Sequence, residues 1–250
     1  MAPVYFEQKG AGRPLLFIPG WTLSHQVWND VAPRLETDFE LVLPDLRGTG
    51  KSPTGGKVLS IENDARDLME IMTGRGKFSV VAHSRGVKVF LLLAELMPES
   101  VGKSVLVGSA GFWPVNEKLD AEVQLVKTMA QKEGVENAVG RMPEIVRLGP
   151  LSGGIESVRK LRKARSGYKG LDLMQEEAPK KRDYREIHEK LNMPLLFISG
   201  ENDRLLPDIR EASGWRKNCR LEVIPGAGHF PMIEAPLIFA RIVREYLKRD

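Results

Sequence analysis

Short apolar runs at residues 15–18, 41–43, 79–82, 104–107, 195–199 and 221–224 constrain the fold of this chain more than any other feature. Their apolarity is continuous rather than alternating, which reads as strands buried on both faces. Between them, segments 27–35, 61–72, 87–97 and 236–247 carry apolar residues at helical spacing, so the chain is expected to be built from repeated strand–helix units. Right-handed crossovers between parallel strands then place helices on both sides of a mostly parallel sheet. The expected fold class is α/β.

The alternation stops after residue 109. From residue 112 to about residue 189 the chain shows only helix-like segments, such as 117–133 and 156–164, separated by breakers such as Gly149-Pro150-Leu151-Ser152-Gly153-Gly154. Strand character resumes at Met193-Pro194. Helices inserted between two strands of a parallel sheet predict a core of residues 1–111 and 190–250. Residues 112–189 would form a helical cap over the carboxyl edge, where α/β sheets bind ligands.

Charge and cysteine usage narrow the partners. The net charge is +4, but residues 141–190 hold 13 Lys or Arg against 8 Asp or Glu. Such a segment either draws acidic partners or is a solvated helix surface, and with no nucleic-acid motif beside it no nucleic acid is expected. No apolar run nears the length of a membrane span, and the first residues lack a basic stretch followed by an apolar one. A cytoplasmic monomer or homodimer without a membrane contact is expected. The single cysteine, Cys219, excludes an intrachain disulfide and a Cys-rich metal site. The scattered histidines show no ligand spacing, so neither metal nor cofactor is expected.

Ala82-His83-Ser84-Arg85-Gly86 stands where the apolar run ending at Val81 meets the helix-like run from Val87. A serine between small residues at a strand-to-helix turn has the form of a nucleophile elbow, although serine is also common as an ordinary helix cap. A nucleophile needs a base and an orienting acid. The chain has 4 histidines. His25 lies upstream of the elbow, His83 is the serine's neighbour, and His188 ends the inserted helical segment, which leaves His229. It stands in Pro225-Gly226-Ala227-Gly228-His229-Phe230-Pro231, between the last expected strand and the last helix, at the same sheet edge as Ser84. For the acid, Asp203 follows the strand at 195–199; Glu201 is close to the strand end and Asp208 is placed to cap a helix near Ile209. The chain order Ser84, Asp203, His229 is the order found in α/β-hydrolases.

Further motifs carry the same resemblance. Pro44-Asp45-Leu46-Arg47-Gly48-Thr49-Gly50-Lys51-Ser52 resembles the D-x-R-G-x-G-x-S loop of the α/β-hydrolase family, and Phe17-Ile18-Pro19-Gly20-Trp21 resembles its His-Gly oxyanion turn. The resemblance implies an eight-stranded, mostly parallel sheet with a helical cap inserted after the sixth strand. It also implies a serine carboxylesterase whose oxyanion donors are the backbone N–H groups of Trp21 and Arg85. Ala82 replaces the usual first glycine of the elbow, and Pro19 the usual histidine before Gly20; neither change removes a catalytic group. Ser84-Arg85-Gly86-Val87-Lys88 resembles the Asp-Arg-Gly-x-Arg stretch of fluoroacetate dehalogenases, whose two cations hold a substrate carboxylate. Arg85 and Lys88 are therefore expected either to bind an anionic ester or to pair with protein carboxylates. Trp21 and Trp28 around the oxyanion turn, with Phe112 and Trp113 at the cap entrance, are candidates for an aromatic acyl pocket or for core and hinge packing. The Trp21 and Trp28 spacing with a basic cap resembles pimeloyl-carrier-protein methyl ester esterases, implying a small or carrier-linked ester. Alternatives with the same fold are carbon–carbon hydrolysis of a diketone-type substrate, as in ring-cleavage-product hydrolases, and a non-hydrolytic ligand receptor or cofactor-free oxygenase.

Overall fold

A computed structural model describes residues 4–55, 59–109, 117–145, 151–169 and 184–249. Seven strands lie in one sheet: β1 (Phe6–Lys9), β2 (Arg13–Ile18), β3 (Phe39–Pro44), β4 (Phe78–His83), β5 (Val101–Val107), β6 (Leu195–Gly200) and β7 (Cys219–Ile224), in the order β1-β3-β2-β4-β5-β6-β7. All neighbours are parallel except β1 and β3, where Phe6 faces Pro44 and Lys9 faces Leu41.

Each apolar run expected to be a strand is one. β1 is the addition: Phe6-Glu7-Gln8-Lys9 is an edge strand with little burial, so it carries no apolar run. Among the described residues the sheet therefore has seven strands, not the eight implied by the family resemblance, and the inserted helices follow the fifth of them. The segment expected to be one helix at 27–35 is divided into a 3-10 turn (His25–Trp28) and a short α1 (Ala32–Leu35). Pro33 stands in the first turn of α1, where its missing N–H is tolerated, and it cannot continue a helix begun upstream.

Continuous apolarity in the central strands has a direct structural cause. Leu15 and Phe17 of β2 face one side of the sheet with Val81, Val105, Val107 and Ile198. Leu16 and Ile18 face the other with Val80, Ala82, Leu106 and Phe197. Both faces are covered, so both parities must be apolar. α1 and α10 (Pro236–Lys248) cover the first face. α2 (Ile61–Met72), α3 (Arg85–Leu96) and α8 (Leu206–Ser213) cover the second.

Between β5 and β6 lie α4 (Glu117–Glu133), α5 (Val135–Ile145), α6 (Gly154–Arg165) and α7 (Tyr184–Lys190). α4 and α5 share a small core of their own, Val126, Met129, Ala130, Ala138, Val139 and Met142, against which Trp21 and Tyr168 pack. Polar contacts tie this segment to the loops at the carboxyl edge. The backbone N–H and hydroxyl of Ser24 donate to the Ala164 carbonyl at 2.7 and 2.9 Å, and Arg204 pairs with Glu122 at 3.0 Å. No helix among the described residues is long and apolar enough to cross a membrane.

Candidate active site

Ser84 is the turn residue between β4 and α3, with φ 51° and ψ −120°. A non-glycine residue held there stores on the order of 1–3 kcal/mol of backbone strain. What holds it is packing on both sides: its N–H donates to the Val107 carbonyl at 2.8 Å, and α3 lies so close to β2 that a Cβ on Gly86 would stand 2.7 Å from the Pro19 carbonyl oxygen. The small residue two positions after the serine, Gly86, is thus a steric requirement.

The turn that follows β6 supplies the acid. Asp203 is buried; one carboxylate oxygen accepts from the Leu205 N–H at 2.9 Å and the other lies 3.0 Å from His229 Nδ1. A carboxylate only accepts, so the proton sits on Nδ1, and Nε2 presents its lone pair to the Ser84 hydroxyl at 3.1 Å. Ser84, Asp203 and His229 therefore form one hydrogen-bonded file. The other acids do different work: Glu201 accepts from the Gly226 N–H, and Asp208 lies in the first turn of α8, where burial raises its pKa.

Two groups that hold His229 were not legible in the sequence. Glu234, in α9 (Pro231–Glu234), accepts from the backbone N–H of Gly228 at 2.8 Å and of Phe230 at 2.9 Å, gripping the loop on both sides of the histidine. The same carboxylate accepts from the Ser152 N–H and hydroxyl at 2.8 and 2.7 Å, just before α6. His83, fully buried beside Ser84, donates from Nε2 to the His229 carbonyl at 3.0 Å. Burial, then the adjacent His229, holds the His83 pKa well below the usual histidine range, so it is a neutral strut.

Trp21 and Arg85 line one cleft with Gly20, Thr22, Arg47 and Asp64. The cleft lies beside Ser84, since a Cβ on Gly20 would stand 3.2 Å from Ser84 Cβ. Arg85 Nη1 meets Asp64 Oδ2 at 2.7 Å, with both groups largely buried. Burial raises the Asp64 pKa and the guanidinium pulls it back down. Asp64 is thus a protein carboxylate partner of the Arg85 side chain. Lys88 Nζ stands 5.3 Å from the centroid of the Tyr184 ring on α7. Phe112 and Trp113 lie outside the described residues.

The loop resembling D-x-R-G-x-G-x-S frames this cleft mechanically. Asp45 is fully buried and accepts from the N–H groups of His25 at 2.7 Å and Lys51 at 2.8 Å, while His25 Nδ1 lies 2.7 Å from the same carboxylate. Arg47 pairs with Asp67 of α2. No group of three or more potential metal ligands occurs among the described residues.

Known proteins give this geometry a context. The pimeloyl-[acyl-carrier protein] methyl ester esterase of Wigglesworthia glossinidia brevipalpis is 26% identical over 272 residues, covering 100% of this chain and 99% of its own. The esterase of the same name from Nitrosomonas europaea is 26% identical over 261 residues, covering 94% and 96%. A thermophilic esterase from Thermogutta terrifontis, solved with malate bound, superposes with a TM-score of 0.87 at 24% identity, covering 98% of this chain and 93% of its own. The model of the Alpha/beta hydrolase family matches residues 15–242, a span that includes every strand from β3 to β7 and all of Ser84, Asp203 and His229. The chain belongs to the alpha/beta hydrolase family.

Proposed function

We propose that this protein is a serine hydrolase that cleaves a carboxylic ester through an acyl-enzyme on Ser84. The observation that carries the reading is the file from Ser84 Oγ to His229 Nε2 at 3.1 Å and from His229 Nδ1 to Asp203 at 3.0 Å. His229 takes the hydroxyl proton, and the Ser84 oxygen attacks the ester carbonyl. The backbone N–H groups of Trp21 and Arg85 hold the resulting oxyanion; Arg85 opens α3, whose N-terminal end favours negative charge. Collapse expels the alcohol, which leaves with the proton from His229. The imidazole then takes a proton from water, whose oxygen attacks the acyl carbonyl; the adduct collapses, His229 returns that proton to the Ser84 oxygen, and the acid is released. Asp203 keeps the proton of the resting imidazole on Nδ1 and stabilises the imidazolium in between.

Residues 112–189 act as a cap on the core of residues 1–111 and 190–250. Supporting this division, α4 and α5 pack their own core on Trp21, and Arg204, adjacent to Asp203, pairs with Glu122 of α4. The curated relatives are named for methyl ester cleavage on a carrier-linked acyl chain, which supports a small or carrier-linked ester here. The test is turnover of p-nitrophenyl acetate and butyrate together with fluorophosphonate labelling. Both are expected in the wild type and lost in Ser84→Ala; full turnover in Ser84→Ala would overturn the reading.

A further inference from the structure

Among the described residues, the guanidinium groups around this edge are matched to carboxylates with one exception. Arg47 pairs with Asp67, Arg85 with Asp64 and Arg204 with Glu122. Arg165, at the end of α6, has no carboxylate partner among the described residues, and its Nε is buried without a hydrogen-bond acceptor. Its guanidinium carbon stands 5.9 Å from the centroid of the Phe230 ring. That ring packs edge-on against His229, with centroids 5.0 Å apart, and lies 5.4 Å from His83. Burial lowers the Arg165 pKa to about 10.

The position is built rather than incidental. The Ala164 carbonyl, one residue before, takes both hydrogen bonds of Ser24, in the segment that follows the Trp21 turn. Tyr168, three residues on, lines the cleft with Trp21 and Arg85. With Ala164 fixed to Ser24 and its own guanidinium over Phe230, Arg165 stands one aromatic ring from His229. Guanidinium binds carboxylate through two parallel N–H···O bonds, and gains most where water is thin.

We infer that Arg165 is a substrate-binding residue that takes a carboxylate, so that the preferred ester is a half-ester of a dicarboxylic acid. The inference rests on the esterase reading above and names its substrate class. Hydrolysis then consumes water and releases a dicarboxylate and a neutral alcohol. It also moves the anion contact from Arg85 and Lys88, which face Asp64 and Tyr184, to a cation on the inserted helices.

The experiment compares kcat/KM for monomethyl glutarate and dimethyl glutarate in the wild type, Arg165→Gln and Arg165→Lys, each checked for folding by thermal melting. A charge-assisted pair in a partly desolvated site predicts that the wild type prefers the half-ester by on the order of tenfold or more. Arg165→Gln should bring that ratio toward one and Arg165→Lys should keep part of it. Free glutarate should slow fluorophosphonate labelling of Ser84 and raise the melting temperature of the wild type but not of Arg165→Gln. Equal ratios in wild type and Arg165→Gln, with no glutarate effect, would overturn the inference while leaving the esterase intact. If neither ester turns over and Ser84 is not labelled, the esterase reading fails instead, and the glutarate melting shift alone decides whether Arg165 binds an anion.

Discussion

Removing the Glu234 carboxylate should damage both stability and turnover, because one side chain holds the loop of the base and the entry to α6. Glu234→Ala deletes hydrogen bonds to the N–H groups of Gly228, Phe230 and Ser152 and to the Ser152 hydroxyl, all between 2.7 and 2.9 Å. A hydrogen bond to a charged acceptor contributes about 1.5–3 kcal/mol. The bonds share one half-buried acceptor and Ser152 can rehydrate, so they do not add; about 2–4 kcal/mol is the expected loss. For a chain of this length that is a fall of roughly 5–15 °C in melting temperature. The freed loop carries His229, whose Nε2 must stay within reach of Ser84 Oγ, now 3.1 Å away. A displacement of about 1 Å at such a contact costs on the order of 10²-fold in rate. Glu234→Gln keeps one accepting oxygen and turns an NH2 toward a donor, so it should fall between wild type and Glu234→Ala on both measures. Thermal melting and kcat for p-nitrophenyl butyrate are the assays. Wild-type melting and kcat in Glu234→Ala would refute the reasoning.

Other perturbations test separate links. A Cβ on Gly200 would stand 2.2 Å from the Gly228 carbonyl oxygen, so Gly200→Ala should push the His229 loop away and lower kcat at least as much as it lowers stability; kinetics alongside melting of the purified variant read both. Asp203→Asn should leave the protein folded, shown by an unchanged circular dichroism spectrum, and reduce kcat on the order of 10⁴-fold by presenting the wrong tautomer of His229. His188 packs against Phe197 and Trp215, and burial lowers its pKa from the usual 6.5 to about 4. The unfolded chain therefore binds this proton first: its contribution is full above pH 6.5 and is lost as pH falls toward 4. The loss is about 3 kcal/mol, so melting of His188→Phe should decline less steeply than wild type over that interval.

The parts of the fold that follow from one-dimensional pattern were readable in the sequence, and those that depend on tertiary partners were not. β2 to β6 were visible because each is buried on two faces and writes an apolar run, and β7, an edge strand, through Leu221, Val223 and Ile224; β1 is half-buried at the other edge and writes none. The file of Ser84, Asp203 and His229 was legible because each stands at the end of a strand or the turn after it, and one histidine alone fits that edge. Glu234 and His83 act through backbone atoms of a loop brought near by the fold, which no spacing records. Arg85 and Lys88 suggested an anion site by adjacency to Ser84, yet Asp64 arrives from α2, a partner 21 residues away. Arg165 was one basic residue in a basic helix until Phe230 was placed beneath it.

The central claim is a covalent ester of Ser84, and trapping it is the most direct test. The protein is mixed with p-nitrophenyl acetate, quenched in acid within the first turnover and digested for mass spectrometry. A burst of one p-nitrophenol per chain and an acetyl group on Ser84 are expected, both absent in Ser84→Ala and much reduced in His229→Ala. An acetyl group on another residue, or steady turnover in Ser84→Ala, would contradict it.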